Sequence, residues 1–155
     1  MAAADLEAAI PAGASLLIDS SAVLAYLTGT EPTSPAAERL FDTFVSTGRN
    51  PAALSVVTVE EILVRPFRIG AAAVSTAEGF LRHFAEIRLV EVSYDVAREA
   101  ARIRAVAGLR TPDALIIATA IVIEADILVT NDRSWRVLAE AEAYAPGLQV
   151  CLLSG

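Results

Sequence analysis

An α/β domain with a mainly parallel central sheet flanked by helices is what this sequence predicts. Three observations carry that expectation. Short apolar runs such as Leu16-Leu17-Ile18 and Ile127-Leu128-Val129 read as strands buried on both faces, the habit of parallel sheets. Between such runs lie segments whose apolar residues recur at helical spacing. The alternation continues from Leu16 to Leu153 without a repeat, linker or low-complexity segment, so residues 15–155 are expected to form a single domain behind a leader, residues 1–14.

Composition narrows the class. The chain is 55% hydrophobic over 155 residues, enough for one domain with a real core. A membrane helix needs about 20 consecutive apolar residues. The longest apolar run, Ala114 to Ile123, is half that and is followed by Glu124 and Asp126. The leader is Ala-rich with Asp5 and Glu7, unlike a signal peptide. Cys151 is alone and makes no intramolecular disulfide, so a cytoplasmic location with no membrane contact is expected. The net charge of −7 argues against non-specific nucleic-acid binding, although a compact acidic site would lower it without removing basic patches elsewhere. All 12 basic residues are Arg, the better phosphate fork; codon bias is the simpler cause of the missing Lys.

Taken in order, the strand Leu16–Ile18 precedes a helix at 20–27 with Val23, Leu24 and Leu27 on one face and Ser20 or Ser21 as cap. Turn residues 29–35 lead to a helix from Pro35 to about Ser46 with Ala37, Leu40, Phe41, Phe44 and Val45 facing inward. A strand is expected at 53–57, then a helix capped by Thr58 with Glu60 and Glu61 in its first turn, kinked or ended by Pro66. A helix at 71–87, a strand at 89–92 and an amphipathic helix at 94–107 follow, the last closed by Gly108. Thr111-Pro112-Asp113 opens a helix apolar nearly all round, with Thr111 as its cap, so it should be central. The strand 127–130 ends on Asn131-Asp132. A short helix to about Ala145 and a strand at 148–153 finish the chain.

Asp19 and Asp132 each follow a buried strand, and Glu61 and Asp113 each open a helix. Ligands bind beyond the carboxyl ends of parallel strands, where these positions converge. Acids at helix starts also serve as caps and dipole partners, a reading that competes for Glu61 and Asp113 and leaves Glu60 as a rival to Glu61. Clustered carboxylates repel one another and need a cation. With no His or Cys nearby, an all-oxygen set suits Mg²⁺ or Mn²⁺ rather than zinc. Such ions activate water for phosphodiester hydrolysis.

Four segments carry a resemblance: Leu17-Ile18-Asp19-Ser20-Ser21, Leu54 through Glu61, Leu109 through Ile116, and Leu128-Val129-Thr130-Asn131-Asp132. In order and spacing they resemble the PIN-domain ribonucleases, most closely the toxins of VapBC-type toxin–antitoxin pairs, over nearly the whole chain. The resemblance implies a three-layer α/β/α fold and a Mg²⁺- or Mn²⁺-dependent endoribonuclease acting on RNA. It also implies a homodimer inhibited by a small VapB-like antitoxin. The family's acids fall on Asp19, Glu61, Asp113 and Asp132; Asp19 and Asp113 stand first as metal ligands, with Glu61 and Asp132 as further ones. Thr130 or Ser20 would support metal-bound waters. Such toxins often begin almost at the first strand, and some carry a further acid where this chain has Arg133-Ser134-Trp135, which leaves one or two ions open.

Other functions stay in view: a non-catalytic partner-binding module, or a DNA-directed nuclease using the same acids. A phosphoacceptor receiver would need a Lys, and there is none. Arg65 and Arg68, and a second group of Arg98, Arg102, Arg104 and Arg110, read as solvated helix faces or phosphate contacts. His83 reads as a surface residue, and Trp135 and Tyr26 as core or edge residues rather than stacking platforms. The helices at 20–28 and 35–46 either bury each other's apolar faces or leave a groove for an inhibitory helix.

Overall fold

The computed structural model describes residues 3–133, 141 and 143–154. Five parallel strands form one sheet in the order β3-β2-β1-β4-β5. The strands are β1 (Leu16–Ile18), β2 (Ala52–Ser55), β3 (Ile87–Val90), β4 (Ile127–Thr130) and β5 (Gln149–Leu152). β1 pairs on one side with β2, Leu17 opposite Ala53, and on the other with β4, Leu17 opposite Leu128. The chain builds outward from β1 through β2 to β3, then crosses back to place β4 on β1's other side. The strand order therefore reverses between β1 and β4, which opens a crevice at their carboxyl ends.

Successive strand residues point to opposite faces and define two cores. Leu16, Ile18, Leu54, Ile127 and Val129 face the layer formed by α1 (Ala3–Ala9), α2 (Ser20–Thr28), α3 (Ser34–Glu38), α4 (Val56–Ile69) and α5 (Ala71–His83). Leu17, Ala53 and Leu128 face α6 (Tyr94–Ala107) and α7 (Thr111–Val122). The fold is thus three-layer α/β/α. β1, β2 and β4 are buried throughout, which explains why they read as continuous apolar runs. The outer strands β3 and β5 are partly exposed.

Several boundaries differ from those expected. Residues Arg39–Val45 continue α3 as a π-helix, and Leu40, Phe41, Phe44 and Val45 are all buried. β2 stops at Ser55, and Val56-Val57 begin α4. Ser55, not Thr58, is the cap, its hydroxyl accepting from the Val57 N–H. The apolar run Val56-Val57 extends the strand pattern into the helix, so periodicity alone placed the junction too late. Pro66 sits inside α4 without ending it, because the helix closes beyond it with the Gly70 N–H donating to the Pro66 carbonyl. α5 ends at His83 and β3 begins at Ile87. Arg110, not Thr111, is the residue before α7. Gly108 closes α6 in the left-handed conformation, as expected. Most of the short helix expected up to Ala145, and Trp135 with it, lies outside the described residues.

The leader packs into the domain. Leu6 and Ile10 are fully buried in the first core. Asn50, also fully buried, donates its amide to the carbonyls of Pro11 and Ala14, and Arg49 donates to that of Ile10. Arg49 also stacks 3.9 Å above the Phe44 ring, and Arg39 pairs with Glu7. Leu6→Ala is expected to cost about 3 kcal/mol of unfolding free energy by leaving a cavity. Denaturant melts check this; a loss under about 0.5 kcal/mol, the range of surface changes, would place Leu6 outside the core.

Tyr26 forms a ring cluster with Phe41, Phe80 and Phe84, with centroids 4.7–5.9 Å apart. Its hydroxyl donates to Asp42 at 2.7 Å. Burial, then the bond to Asp42, push its pKa up to about 12. The fold therefore favours neutral Tyr26. That stabilisation is complete below the ordinary value of 10.0 and is lost as pH rises from there to about 12. Unfolding free energy should fall more steeply over this window in the wild type than in Tyr26→Phe; parallel curves would remove the assigned role.

Candidate active site

β1 ends directly on Asp19, which begins α2 and is 7% exposed. A carboxylate this buried needs hydrogen-bond donors. Three hydroxyls reach it: Ser20 Oγ donates to Asp19 Oδ1 at 3.4 Å, and the two closer ones converge on Oδ2, Ser21 Oγ at 2.7 Å and Thr130 Oγ1 at 3.0 Å. Each of these two also accepts a backbone N–H from the loop after β4, Ser21 from Asn131 at 2.8 Å and Thr130 from Asp132 at 3.2 Å. The loop N–H groups thus fix the hydroxyls, and the hydroxyls fix Asp19. The crevice between β1 and β4 makes this possible, since the Asp19 N–H also bonds to the Val129 carbonyl. Thr130 is fully buried, so its hydroxyl serves Asp19. Ser21, read from sequence only as a possible cap, turns out to anchor the first acid.

Glu61 lies in the second turn of α4, because that helix begins at Val56. The reading of Glu61 as an N-terminal cap therefore falls. Glu60 is exposed and Glu61 half-buried. Burial raises the Glu61 pKa above the ordinary carboxylate value. A hydrogen bond from Ser20 works against this, and the charges of Asp19, Asp113 and Glu60 push it further up. Glu61 Oε2 is buried and has no hydrogen-bond partner. Asp113, in the first turn of α7, is half-buried. Its partner is Arg110, 3.1 Å away and 80% exposed, a pairing that solvent makes weak.

Glu61, on α4, thus stands where it feels the charges of Asp19, at the end of β1, and Asp113, on α7. Asp132 shares their sheet edge and is tied to Asp19 through Thr130, but it does not figure among the charges acting on Glu61. Among the described residues, no group of three or more His, Cys, Asp or Glu side chains is arranged to hold a metal ion. The donor set nevertheless suits a hard cation: every donor is oxygen, and Glu61 Oε2 has nothing else to bind.

Arg102 pairs with Glu99 and donates to the Tyr144 carbonyl, Arg104 donates to the Leu109 carbonyl, and Arg110 meets Asp113. These arginines are therefore engaged within the fold. His83 is exposed at the end of α5. The apolar groove does not run between residues 20–28 and 35–46, whose facing side chains are buried. It runs instead between α2, α4 and α5, a space of about 510 Å³ lined by Leu24, Leu27, Ile62, Pro66, Ile69 and Ala77. Phe67 and Ile69 are each 67% exposed.

The PIN domain matches residues 16–141, most of the sequence, and the chain belongs to the PIN-domain family. Solved structures agree on the fold. A toxin–antitoxin complex from Klebsiella pneumoniae superposes with a TM-score of 0.62 at 20% identity, covering 86% of this chain and 94% of that one. FitAcB from Neisseria gonorrhoeae gives 0.65 at 18% identity, covering 90% and 98%. A sarcin-ricin-loop-cleaving VapC toxin from Mycobacterium tuberculosis gives 0.62 at 19%, covering 77% and 91%. No curated protein sequence matches the chain significantly. No helix among the described residues is long and apolar enough to cross a membrane.

Proposed function

We propose that this chain is a metal-dependent endoribonuclease that hydrolyses RNA phosphodiester bonds in the cytoplasm, as the toxin of a toxin–antitoxin pair. The observation that carries the reading is the half-buried Glu61, whose unpartnered oxygen stands beside Asp19 and Asp113 with no basic residue among the groups shifting its pKa. Buried like charges are costly, and a structural role would not require three of them. The fold similarity to toxin–antitoxin complexes supports the toxin assignment.

In this reading Asp19 and Asp113 hold Mg²⁺ or Mn²⁺, with Glu61 and Asp132 completing the acidic set. The bound ion supplies an activated water and charge stabilisation on the phosphate. Ser21 and Thr130 keep the Asp19 carboxylate oriented, which removes the need to reorganise it during reaction. Glu61 Oε2 offers an acceptor with no competing bond. A homodimer and a small VapB-like antitoxin complete the assembly, and the antitoxin's apolar helix would cover the groove of α2, α4 and α5.

Asp19→Asn and Asp113→Asn should each lower RNA cleavage by on the order of 100-fold or more, while thermal melts show a folded protein. Glu61→Gln should behave likewise and Glu60→Gln should not. Chelation should abolish cleavage, and added Mg²⁺ or Mn²⁺ should restore it. Cleavage that survives both Asp substitutions would sink the site. A parallel assay on single-stranded DNA of the same sequence distinguishes the substrates; faster cleavage of DNA would overturn the ribonuclease reading. The toxin assignment predicts that expressing this chain arrests growth and that a small protein encoded in a neighbouring reading frame, co-expressed with it, relieves the arrest.

A further inference from the structure

Adjoining the acids at Asp132 is a pocket of about 560 Å³, lined by Glu31, Thr33, Asn131, Asp132, Arg133 and Ser154. This is the size of a small-ligand site. From its composition and its position we infer that it is a specificity pocket for one unstacked RNA base beside the bond cleaved, and that the base it prefers is guanine. The inference rests on the ribonuclease reading above.

Position comes first. The Asn131 N–H donates to Ser21 Oγ at 2.8 Å, and Ser21 Oγ donates to Asp19 Oδ2 at 2.7 Å. One hydroxyl therefore joins the pocket wall to the first acid. Asp132 lines the pocket, and its N–H bonds to Thr130, the other hydroxyl on Asp19 Oδ2. A base seated here belongs to a nucleotide near the one whose phosphate meets the acids.

The pocket is held in shape before any ligand arrives. The Glu31 N–H donates to Ser34 Oγ at 3.0 Å, and its carbonyl accepts from the Ser34 N–H at 2.9 Å. Ser34 is buried, and its hydroxyl donates to the Ala25 carbonyl at 2.6 Å. The Glu31 carboxylate is steadied by Asn131 Nδ2, 3.1 Å from Oε2. On the opposite wall Arg133 donates to Ser154 Oγ at 2.8 Å and to its carbonyl at 2.9 Å. A guanidinium carries five N–H donors, so some remain for a phosphate.

Chemistry then selects the base. A carboxylate has about four acceptor sites, and Asn131 occupies one on Glu31. Asn131 Oδ1 and Thr33 Oγ1 are buried and have no hydrogen-bond partner in the protein. The Glu31 carboxylate keeps acceptor sites on both oxygens for a ligand. RNA is read sequence-specifically through the edges of unstacked bases. Guanine offers two adjacent donors there, N1–H and the N2 amino group, which match a carboxylate's two oxygens. Adenine and cytosine each place an unprotonated ring nitrogen beside the amino group. Uracil flanks its single N–H with carbonyls. In each of these a lone pair would face Glu31, and a site built to pair a donor rejects the analogue that lacks it.

The test is cleavage of short RNAs randomised around the cut, followed by sequencing of the ends, with guanine and inosine compared at the preferred position. Inosine lacks only the N2 amino group. The wild type should favour guanine at one fixed position and cleave it about tenfold faster than inosine, the scale of one hydrogen bond to a charged group. Glu31→Gln should bring that ratio close to one, and Thr33→Val, two residues along the same turn, should lower it. Cleavage that depends on Asp19 but shows no guanine preference, or a ratio unchanged in both variants, overturns the pocket assignment alone. Absence of any Asp19-dependent cleavage overturns the ribonuclease reading and this inference with it.

Discussion

A carboxylate buried at the tip of the central strand is the constraint on which the rest of the molecule turns. Asp19 is 7% exposed, and an ionised group so placed is stable only when donors surround it. The donors come from two places in the chain, Ser21 at the start of α2 and Thr130 at the end of β4. They meet because β1 and β4 are parallel neighbours with Ile18 opposite Val129. A change in strand order would separate Thr130 from Asp19 and strand the carboxylate. The topology and the site are therefore one requirement.

The same constraint explains why the helices near the site are so apolar. α7 buries Ala114, Ile116, Ile117, Ala118, Thr119 and Ala120, and this fixes its first turn, with Asp113, against the sheet edge. α4 buries Thr58, Ile62 and Leu63, so Glu61 lies beside the buried stripe while Glu60 points to solvent. Helix register thus decides between adjacent glutamates of identical chemistry. Packing holds the acids near one another; burial above all, and then the charges of Asp19, Asp113 and Glu60, push the Glu61 pKa up.

Charge distribution bears on the proposed nucleic-acid substrate. The net charge of −7 reflects acids spread over the chain, while the arginines near Asp113 are largely engaged with neighbouring carboxylates and carbonyls. That net charge keeps non-specific attraction to phosphate weak. Substrate choice then rests on shaped contacts near the acids, which is the setting in which a polar pocket next to Asp132 matters.

The sequence by itself determined the strand–helix alternation, the inward faces of most helices, and the placement of Asp19 and Asp132 after buried strands. These follow from local rules: apolar runs mark central strands, and a period near 3.6 marks helices. Local rules also misplaced the start of α4, because Val56 and Val57 suit a strand as well as a helix, and only the Ser55 cap and the end of β2's pairing separate them. That error had made Glu61 look like a helix cap. The resemblance had already favoured Glu61 over Glu60; tertiary structure supplied the reason, a helix register that exposes Glu60 and half-buries Glu61, and it alone decided that Ser21 and Thr130 converge on one oxygen. It also brought Glu31 beside Asn131, 100 residues away in sequence. Contacts of that kind depend on which strands become neighbours, and strand order is set by how the whole chain buries its apolar faces, not by any one segment of it.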